Sequence, residues 1–344
     1  MTTILLTGAS GYIGKHITLE LLNQGYKVRA SVRSLKKSTE VIDAVKPFLF
    51  DSSNLDSRLS FVELDLEKDA GWDLALNGID VLLHTASPFP ISSPKDESEL
   101  VRPAVEGTLR ALTAAKKSGV KRVILTSSYV AMYGCELPAG VKEYDETFWT
   151  DVNHPIGSVA YAKSKTLAEK AAWDFVKNNA PEIALTTINP VLVLGAPLDQ
   201  NFGSSISIIE RLLKGKDIML PDVSFPIVDV RDVAKMHVDA IKVEAAKGER
   251  ILAASSTYSF VEIAKLLKSL YPKSKTHAAQ APSLIVKILS LFDGEIKAII
   301  PLLGKNMNTS GSKAKKLLGT NFIPVEVAIR ESAEFLVKNG YVKA

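Results

Sequence analysis

Tyr161 and Lys165, in the segment Tyr-Ala-Lys-Ser-Lys, have the residue types and the spacing to carry out a proton transfer. On a helix, residues four apart are about one turn from each other, so the phenol and the ammonium group lie on the same side. A cation beside a phenol favours the ionised form, so we expect Lys165 to lower the pKa of Tyr161 from about 10 towards neutrality. Such a tyrosine can donate or accept a proton during a reaction.

A second pair, Tyr271 and Lys275, has the same spacing, so the spacing alone is weak support. Pro272 and its polar neighbours predict a turn, in which side chains four residues apart need not converge. The alanine-rich residues that follow Tyr161 favour a helix instead. We therefore assign the reactive pair to Tyr161 and Lys165.

Two serines follow an apolar segment that is predicted to be a strand, residues 122–126. The carboxyl end of a strand in an open α/β sheet faces the ligand crevice. A hydroxyl group there can bind a substrate oxygen on which negative charge develops. The spacing does not choose between Ser127 and Ser128.

Three glycines, Gly8, Gly11 and Gly14, follow the short apolar segment Thr3–Thr7 and open an amphipathic segment, Tyr12–Gln24. A glycine-rich turn between a strand and a helix lets the backbone approach a pyrophosphate, and the amino terminus of the helix favours its charge. The spacing and its context predict a dinucleotide site.

The second predicted strand, Lys27–Val32, indicates which dinucleotide binds. NAD sites usually place a carboxylate about 20 residues after the glycine turn, to bond a ribose hydroxyl. Here the strand is followed by Arg33, with Lys36 and Lys37 shortly after, and no carboxylate ends it. A guanidinium group suits the extra phosphate of NADP, so we expect NADP rather than NAD.

The composition excludes several other classes of protein. The net charge is only +4 over 344 residues, and the basic residues are dispersed, so nucleic-acid binding is not indicated. No apolar run reaches the roughly 18 residues of a membrane span, and the first residues do not show the basic segment, apolar core and cleavage site of a signal peptide. The single cysteine, Cys135, suits a reducing compartment, so we expect the protein in the cytoplasm. Scattered histidines and the lack of a Gly-x-Ser-x-Gly elbow argue against a metal site or a serine hydrolase.

Apolar segments alternate with helical patterns and predict an α/β fold with a Rossmann-type, doubly wound parallel sheet. The predicted strands are Thr3–Thr7, Lys27–Val32, Leu59–Leu64, Val81–Thr85, Arg122–Thr126, Ala184–Ile188 and Arg250–Ala254. We expect an NADP-binding domain over residues 1–190, with return segments near 225–255, and a smaller substrate lobe mainly over 191–344. Asp229 is expected to cap a helix. The apolar segment Pro282–Leu303, broken at Asp293-Gly294, fits a lid, a dimer face or a membrane-surface helix, but core packing is favoured.

Several segments in this order resemble the extended short-chain dehydrogenase/reductases, in particular the dihydroflavonol-reductase-like branch with its ketoreductases and methylglyoxal or aldehyde reductases. The likeness runs nearly from end to end. The segments are Thr7–Gly14, Val28–Arg33, Leu83–Phe89, Leu125–Tyr129, Tyr161–Lys165 and Ile188–Pro190.

The resemblance implies a role for each site residue. Ser128, the second serine of the pair, would polarise a carbonyl group, Tyr161 would give it a proton, and Lys165 would hold the nicotinamide ribose and tune Tyr161. The implied and predicted cofactor residues are Gly8, Ser10, Gly11, Tyr12, Ile13, Gly14, Arg33, Lys36, Asp65, Leu66, Thr85, Ala86, Ser87, Tyr161, Lys165, Pro190 and Val193.

The chain departs from plant dihydroflavonol reductases at Tyr133, where those enzymes carry an asparagine that reads flavonoid hydroxyls. Phe89, Tyr129 and Tyr133 instead predict an aromatic pocket for a fairly apolar aldehyde or ketone. We expect reversible NADPH-dependent reduction of a small-molecule carbonyl, by a monomer or a homodimer. A nucleotide-sugar epimerase or dehydratase, a hydroxysteroid dehydrogenase and a non-catalytic NADP sensor are the alternatives.

The choice of cofactor can be measured directly. With a panel of aldehydes and ketones, absorbance should show oxidation of NADPH and much slower oxidation of NADH, because Arg33 suits the 2′-phosphate. Comparable rates with the two cofactors would contradict the role assigned to Arg33.

Overall fold

The computed structural model describes residues 1–88, 96–291, 299–305 and 307–343. In chain order its strands are β1 (Thr3–Thr7), β2 (Lys27–Val32), β3 (Leu59–Glu63), β4 (Val81–His84), β5 (Arg122–Thr126), β6 (Ala184–Pro190), β7 (Leu192–Leu194), β8 (Ser224–Asp229), β9 (Arg250–Ala253) and β10 (Ser256–Ser259). Its main helices are α1 (Tyr12–Asn23), α2 (Ser38–Val45), α3 (Leu55–Arg58), α4 (Trp72–Leu76), α5 (Ser98–Lys117), α6 (Ala160–Asn179), α7 (Ser204–Leu213), α8 (Val230–Lys242), α9 (Phe260–Leu270), α10 (Ser283–Leu289), α11 (Ser312–Leu318) and α12 (Val325–Lys338).

Seven parallel strands form the main sheet, in the order β3-β2-β1-β4-β5-β6-β9. All seven predicted strands are present, with ends that differ by at most two residues. Strands such as β1, β4 and β5 are runs of Val, Ile and Leu because they are buried on both faces. The winding direction reverses between β1 and β4, where sheets of this kind bind ligands. The predicted doubly wound sheet is confirmed.

Helices cover both faces of this sheet. On one side, α1 packs against α8, and Ile17 and Leu21 of α1 join the apolar core there. On the other side, α5 packs along α6, and Leu112 and Ala172 lie in a second core with Trp72. The predicted reactive helix α6 therefore packs closely along α5, and small alanines such as Ala168 and Ala172 lie on its buried side.

The strands β10, β8 and β7 form a smaller sheet. The helices α7, α9 and α12 pack together beside it around a third apolar core, which includes Leu194, Ile206, Ile263 and Ile329. The chain then returns to the main sheet, since α8 packs on α1 and β9 pairs with β6. The division into two domains at residue 190 stays a prediction.

Two other predictions about local structure are confirmed. Asp229 caps α8 as expected, accepting a hydrogen bond from the Arg231 N–H at 2.9 Å. Tyr271 lies just after the end of α9, so its pairing with Lys275 is not helical. None of the helices in the described ranges is long and apolar enough to cross a bilayer.

The expectation of core packing is wrong for α10. Within this helix Val286 alone is buried, whereas Leu284 is 70% exposed and Ile288 50% exposed. The helix is short, and its other apolar side chains lie on the side away from the core. The expected break at Asp293-Gly294 falls outside the described residues.

Gly14 should be needed for the junction of β1 and α1. A Cβ atom at this position would overlap the carbonyl oxygen of Gly8. Gly14→Ala should therefore cost about 1–3 kcal/mol of unfolding free energy, although alanine favours helices. Urea denaturation measures this. Gly203→Ala is the matched control, because its added Cβ would lie 3.5 Å from the nearest atom, an ordinary contact. Equal midpoints for the two variants would contradict the packing argument.

Candidate active site

A cavity of about 790 Å³ opens at the carboxyl ends of β1, β4, β5 and β6. Its wall extends from the glycine turn to Tyr161 and Lys165. The predicted residues in its wall are Gly8, Ser10, Gly11, Tyr12, Ile13, Gly14, Arg33, Leu66, Thr85, Ala86, Ser87, Ser128, Tyr129, Tyr133, Tyr161, Lys165, Pro190 and Val193.

Three residues that were predicted to line the site are not among the residues that form this cavity wall. Phe89 falls outside the described residues. Lys36 is exposed and does not line the cavity, whereas Lys37 does. Both belong to one 3₁₀ turn, in which successive side chains point about 120° apart. Asp65 also lies outside the wall, although its neighbour Leu66 lines it. Whether Lys36 and Asp65 contact a cofactor stays a prediction.

The structure brings Ser128, Tyr161 and Lys165 together in one part of the cavity wall. The hydroxyl groups of Ser128 and Tyr161 are hydrogen bonded. Lys165 follows one turn later on α6 and is buried. The neighbouring Ser127 donates its hydroxyl proton to Glu169 at 2.5 Å, so its side chain is already engaged behind the strand. Tertiary contacts thus distinguish two serines that the spacing left equivalent.

The expected pKa of Tyr161 is wrong in direction. Burial raises the pKa of Tyr161 above its ordinary value, and the hydrogen bond from Ser128 only partly offsets this effect. Here the free energy of desolvating the phenolate is larger than the stabilisation that its polar neighbours provide. Tyr161 is therefore a neutral phenol at physiological pH, a form that can donate a proton.

Lys165 is also affected by its burial. Desolvation lowers the pKa of Lys165 to about 8, and the nearby charge of Glu169 acts in the opposite direction. The ammonium form still dominates at neutral pH because the pKa remains above 7. The pair therefore combines a neutral phenol with a cation one helical turn away.

The glycine turn has the shape that a pyrophosphate requires. Gly8 has a φ of +73°, and a Cβ there would lie 2.8 Å from the backbone nitrogen of Ala86. Gly11 begins α1 without a capping side chain, so the first N–H groups of the helix are left for a ligand. A side chain at either glycine would fill this cradle. The residues present fit a dinucleotide.

Near the far end of the glycine turn, Arg33 and Lys37 line the cavity after β2. The Lys37 ammonium lies 2.7 Å from Glu40, whose other oxygen accepts from Lys15 at 2.9 Å. Lys15 is 1% exposed and also contacts Asp199, so its charge is fully compensated. Arg33 remains exposed at the cavity, where it is available to a phosphate.

Two buried histidines hold the strand ends that frame the site. The Thr7 hydroxyl oxygen accepts from the N–H groups of Thr85 and Ala86, each at 3.1 Å, so its own proton goes to Nδ1 of His84 at 2.9 Å. This geometry requires a neutral imidazole. Burial lowers the pKa of His84 to about 3, which keeps the ring neutral.

A similar contact holds the end of β5. Nδ1 of His237 donates to the Val233 carbonyl at 2.7 Å, so Nε2 accepts from the Thr126 hydroxyl at 2.7 Å. Burial lowers the pKa of His237 to about 4. Both rings therefore hold neighbouring elements in place as neutral imidazoles.

A large part of the cavity wall was not predicted from the sequence. Its aromatic residues Tyr129 and Tyr133 were predicted, and their rings pack at 42° with centres 4.8 Å apart. Further residues come from the smaller sheet, from α7 and the loop before it, and from the segment near residue 307. They are Leu192, Phe202, Ser204, Ser205, Ile208, Phe225, Pro226 and Met307. No local signal marks these residues, because they meet only when the chain has folded.

A Rossmann-type sheet, a pyrophosphate cradle and an adjoining Ser-Tyr-Lys cluster together define a nucleotide-dependent enzyme. The sequence matches the NAD dependent epimerase/dehydratase family over residues 4–254, and the chain belongs to this family. This result confirms the resemblance to extended short-chain dehydrogenases.

Named relatives extend this result over the whole length. The chain is 34% identical to a cinnamoyl-CoA reductase of Medicago truncatula, covering 98% of this chain and 96% of that protein. It is 32% identical to a putative NADPH-dependent methylglyoxal reductase of Candida albicans, with 98% of each covered. The crystal structure of a yeast methylglyoxal/isovaleraldehyde reductase complexed with NADPH superposes with a TM-score of 0.81 at 26% identity, over 99% of this chain and 100% of that one.

Acidification should loosen the strand ends that carry the site. Between about pH 6.5 and the folded pKa values of about 3 for His84 and about 4 for His237, the unfolded chain binds more protons. Stability is therefore lost as the pH falls through this window, by about 1.4 kcal/mol per pH unit for each histidine. Urea denaturation from pH 7 to pH 5 measures the slope.

The matched variant for this measurement is His84→Gln, which removes one titrating group and leaves the carboxylates in place. Its slope should be smaller than that of the unaltered protein by about 1.4 kcal/mol per pH unit. Identical slopes would show that His84 does not stay neutral in the fold.

Proposed function

We propose that the protein reduces an aldehyde or a ketone to the alcohol, reversibly, with NADPH. One observation carries this proposal: the hydrogen-bonded hydroxyl groups of Ser128 and Tyr161, with Lys165 one turn away, share a cavity with the glycine turn. The Candida relative, described as NADPH-dependent, and the yeast structure complexed with NADPH support the choice of cofactor.

The neutral phenol of Tyr161 acts as the proton donor. A carbonyl oxygen placed between the hydroxyl groups of Ser128 and Tyr161 accepts a hydrogen bond from each, which stabilises the negative charge that develops on it. NADPH, when bound, supplies the hydride to the carbonyl carbon. Tyr161 then gives up its proton, and the Lys165 ammonium group stabilises the phenolate that remains.

The remaining residues hold and orient the cofactor. The backbone at Gly8, Gly11 and Gly14 takes the pyrophosphate, and Arg33, with Lys37, takes the 2′-phosphate. Lys165 holds the nicotinamide ribose in addition to its effect on Tyr161. The strand-end residues Thr85, Ala86 and Ser87 and the residues Pro190 and Val193 complete this wall.

The substrate is an apolar carbonyl compound of moderate size. Tyr129, Tyr133, Ile208, Phe225 and Met307 give the reacting end of the cavity a mainly apolar and aromatic surface. Tyr133 is largely buried, and burial raises its pKa, so it stays a neutral phenol. A flavonoid rich in hydroxyl groups suits this surface poorly. We also infer a cytoplasmic location, which the single cysteine supports.

An epimerase or dehydratase on the same scaffold is the second candidate, because the family is described by those activities. Such enzymes usually retain NAD and regenerate it within each cycle. Arg33 and Lys37 at the cavity favour NADPH, which is consumed in stoichiometric amounts by a reductase.

Tyr161→Phe should abolish turnover, since phenylalanine keeps the ring but has no proton to give. We expect a fall in kcat of at least about a hundredfold, measured by NADPH absorbance with a small aldehyde. Tyr271→Phe is the matched control, because Tyr271 has the same tyrosine–lysine spacing but lies at the end of α9. Normal turnover by Tyr161→Phe would refute the proposed reaction.

A further inference from the structure

Glu169 is a buried carboxylate on α6, one turn beyond Lys165, and no part of the mechanism above uses it. Its side chain is 0% exposed. It accepts hydrogen bonds from Ser127 at 2.5 Å, from Asn189 at 2.7 Å and from Arg250 Nε at 2.6 Å. Burying a carboxylate so completely has a large desolvation free energy, so the fold must provide donors and a counter-charge for it.

The partners of Glu169 lead directly to the reactive serine. Ser127, which donates to Glu169, precedes Ser128 in the chain. Asn189 of β6 donates both to Glu169 and to the Ser128 carbonyl oxygen at 3.2 Å. The carboxylate therefore fixes the backbone on both sides of the peptide bond between the two serines. This backbone position determines where the Ser128 hydroxyl points.

Arg250 of β9 supplies the compensating charge. Its guanidinium group stacks on the ring of Trp149 at 3.7 Å and donates to the carbonyl oxygens of Glu146 and Phe148. These contacts fix the cation from three sides. The ion pair thus joins α6 to the edge strand of the main sheet.

A small cavity connects Glu169 with Lys165. Its volume is about 10 Å³, close to the space for one water molecule. Lys165 and Glu169 both line it, together with Ser127, Thr126 and Ser87. Lys165 and Glu169 therefore border the same small void.

We propose that Glu169 is a positioning residue, which keeps Lys165 charged and fixes the Ser127-Ser128 strand end against Tyr161. This inference rests on the proposed function, since it concerns the same cluster. The charge of Glu169 opposes the desolvation that lowers the pKa of Lys165, so its removal leaves desolvation unopposed.

The other groups that face Lys165 do not replace this charge. His84 of β4 is neutral throughout the working range, because burial lowers its pKa to about 3. Tyr161 and Tyr133 are neutral phenols with raised pKa values. Ser87 and Thr108, which line the small cavity, are uncharged. Arg250 lies on the far side of Glu169 and is paired with it.

The test is the pH profile of kcat/KM for an aldehyde at saturating NADPH. In the unaltered protein the rate should fall above about pH 8, as Lys165 loses its proton. Glu169→Gln should move this alkaline limb to lower pH by about one unit. It should also lower kcat about tenfold, because Ser128 is less well positioned.

Ser127→Ala separates the two effects. This variant removes the hydrogen bond to Glu169 but keeps the charge, so kcat should fall while the alkaline limb stays in place. Glu169→Asp should likewise leave the limb in place. An unchanged limb in folded Glu169→Gln, or an equal shift in Ser127→Ala, would overturn the proposal.

Two further variants keep the result decisive. If Glu169→Gln does not fold, because the buried Arg250 has lost its counter-charge, the double variant Glu169→Gln/Arg250→Gln removes both charges. If that protein also fails to fold, Glu169→Met/Arg250→Met replaces the buried pair with apolar side chains of similar volume, and its limb should also move to lower pH. Tyr161→Phe is measured in parallel. If Tyr161→Phe is inactive and the alkaline limb of Glu169→Gln does not shift, only the role of Glu169 is rejected. If Tyr161→Phe is fully active, the proposed reaction itself is rejected.

Discussion

The interaction on which the site depends is the burial of one carboxylate behind it. Glu169 is tolerated in the core because Arg250, Asn189 and Ser127 donate short hydrogen bonds to it, and Trp173 and Thr187 donate longer ones. Arg250, Asn189 and Ser127 come from β9, β6 and the end of β5, so compensation of the charge draws three strands and α6 into one arrangement. The position of Ser128 beside Tyr161 follows from that arrangement, since Ser127 is already engaged.

The same principle, that a buried polar group must be satisfied, shapes the nucleotide end. The hydroxyl group of Thr7 bridges β1 and β4, and that of Thr126 bridges β5 and α8, each through a histidine that burial keeps neutral. These contacts fix the strand ends beside the glycine turn, and Gly8, Gly11 and Gly14 place no side chain over its backbone. The cavity is therefore bounded by groups whose hydrogen bonds are already made, and the backbone of the turn is left for a ligand.

Burial and charge compete at the reactive pair, and burial dominates. Desolvation raises the pKa of Tyr161 and lowers that of Lys165, so each group is held closer to its neutral form than in water. The outcome suits a proton donor: Tyr161 keeps its proton until an oxygen beside it becomes strongly basic. Lys165 remains a cation at neutral pH with the support of Glu169, ready for the phenolate that the reaction leaves.

Periodicity and spacing along the chain were enough to predict the main sheet, the glycine turn and the pairing of Tyr161 with Lys165, because each of these depends on residues close together in the sequence. Spacing did not choose between the two serines, and the contacts of the folded chain place Ser128, the one that the resemblance named, beside Tyr161. Folding also set the direction of the Tyr161 pKa shift and formed the wall that includes residues such as Phe225 and Met307. It also placed Lys37 rather than Lys36 at the cavity. These features could not be predicted locally, since they depend on burial and on partners such as Glu169 that are distant in the chain.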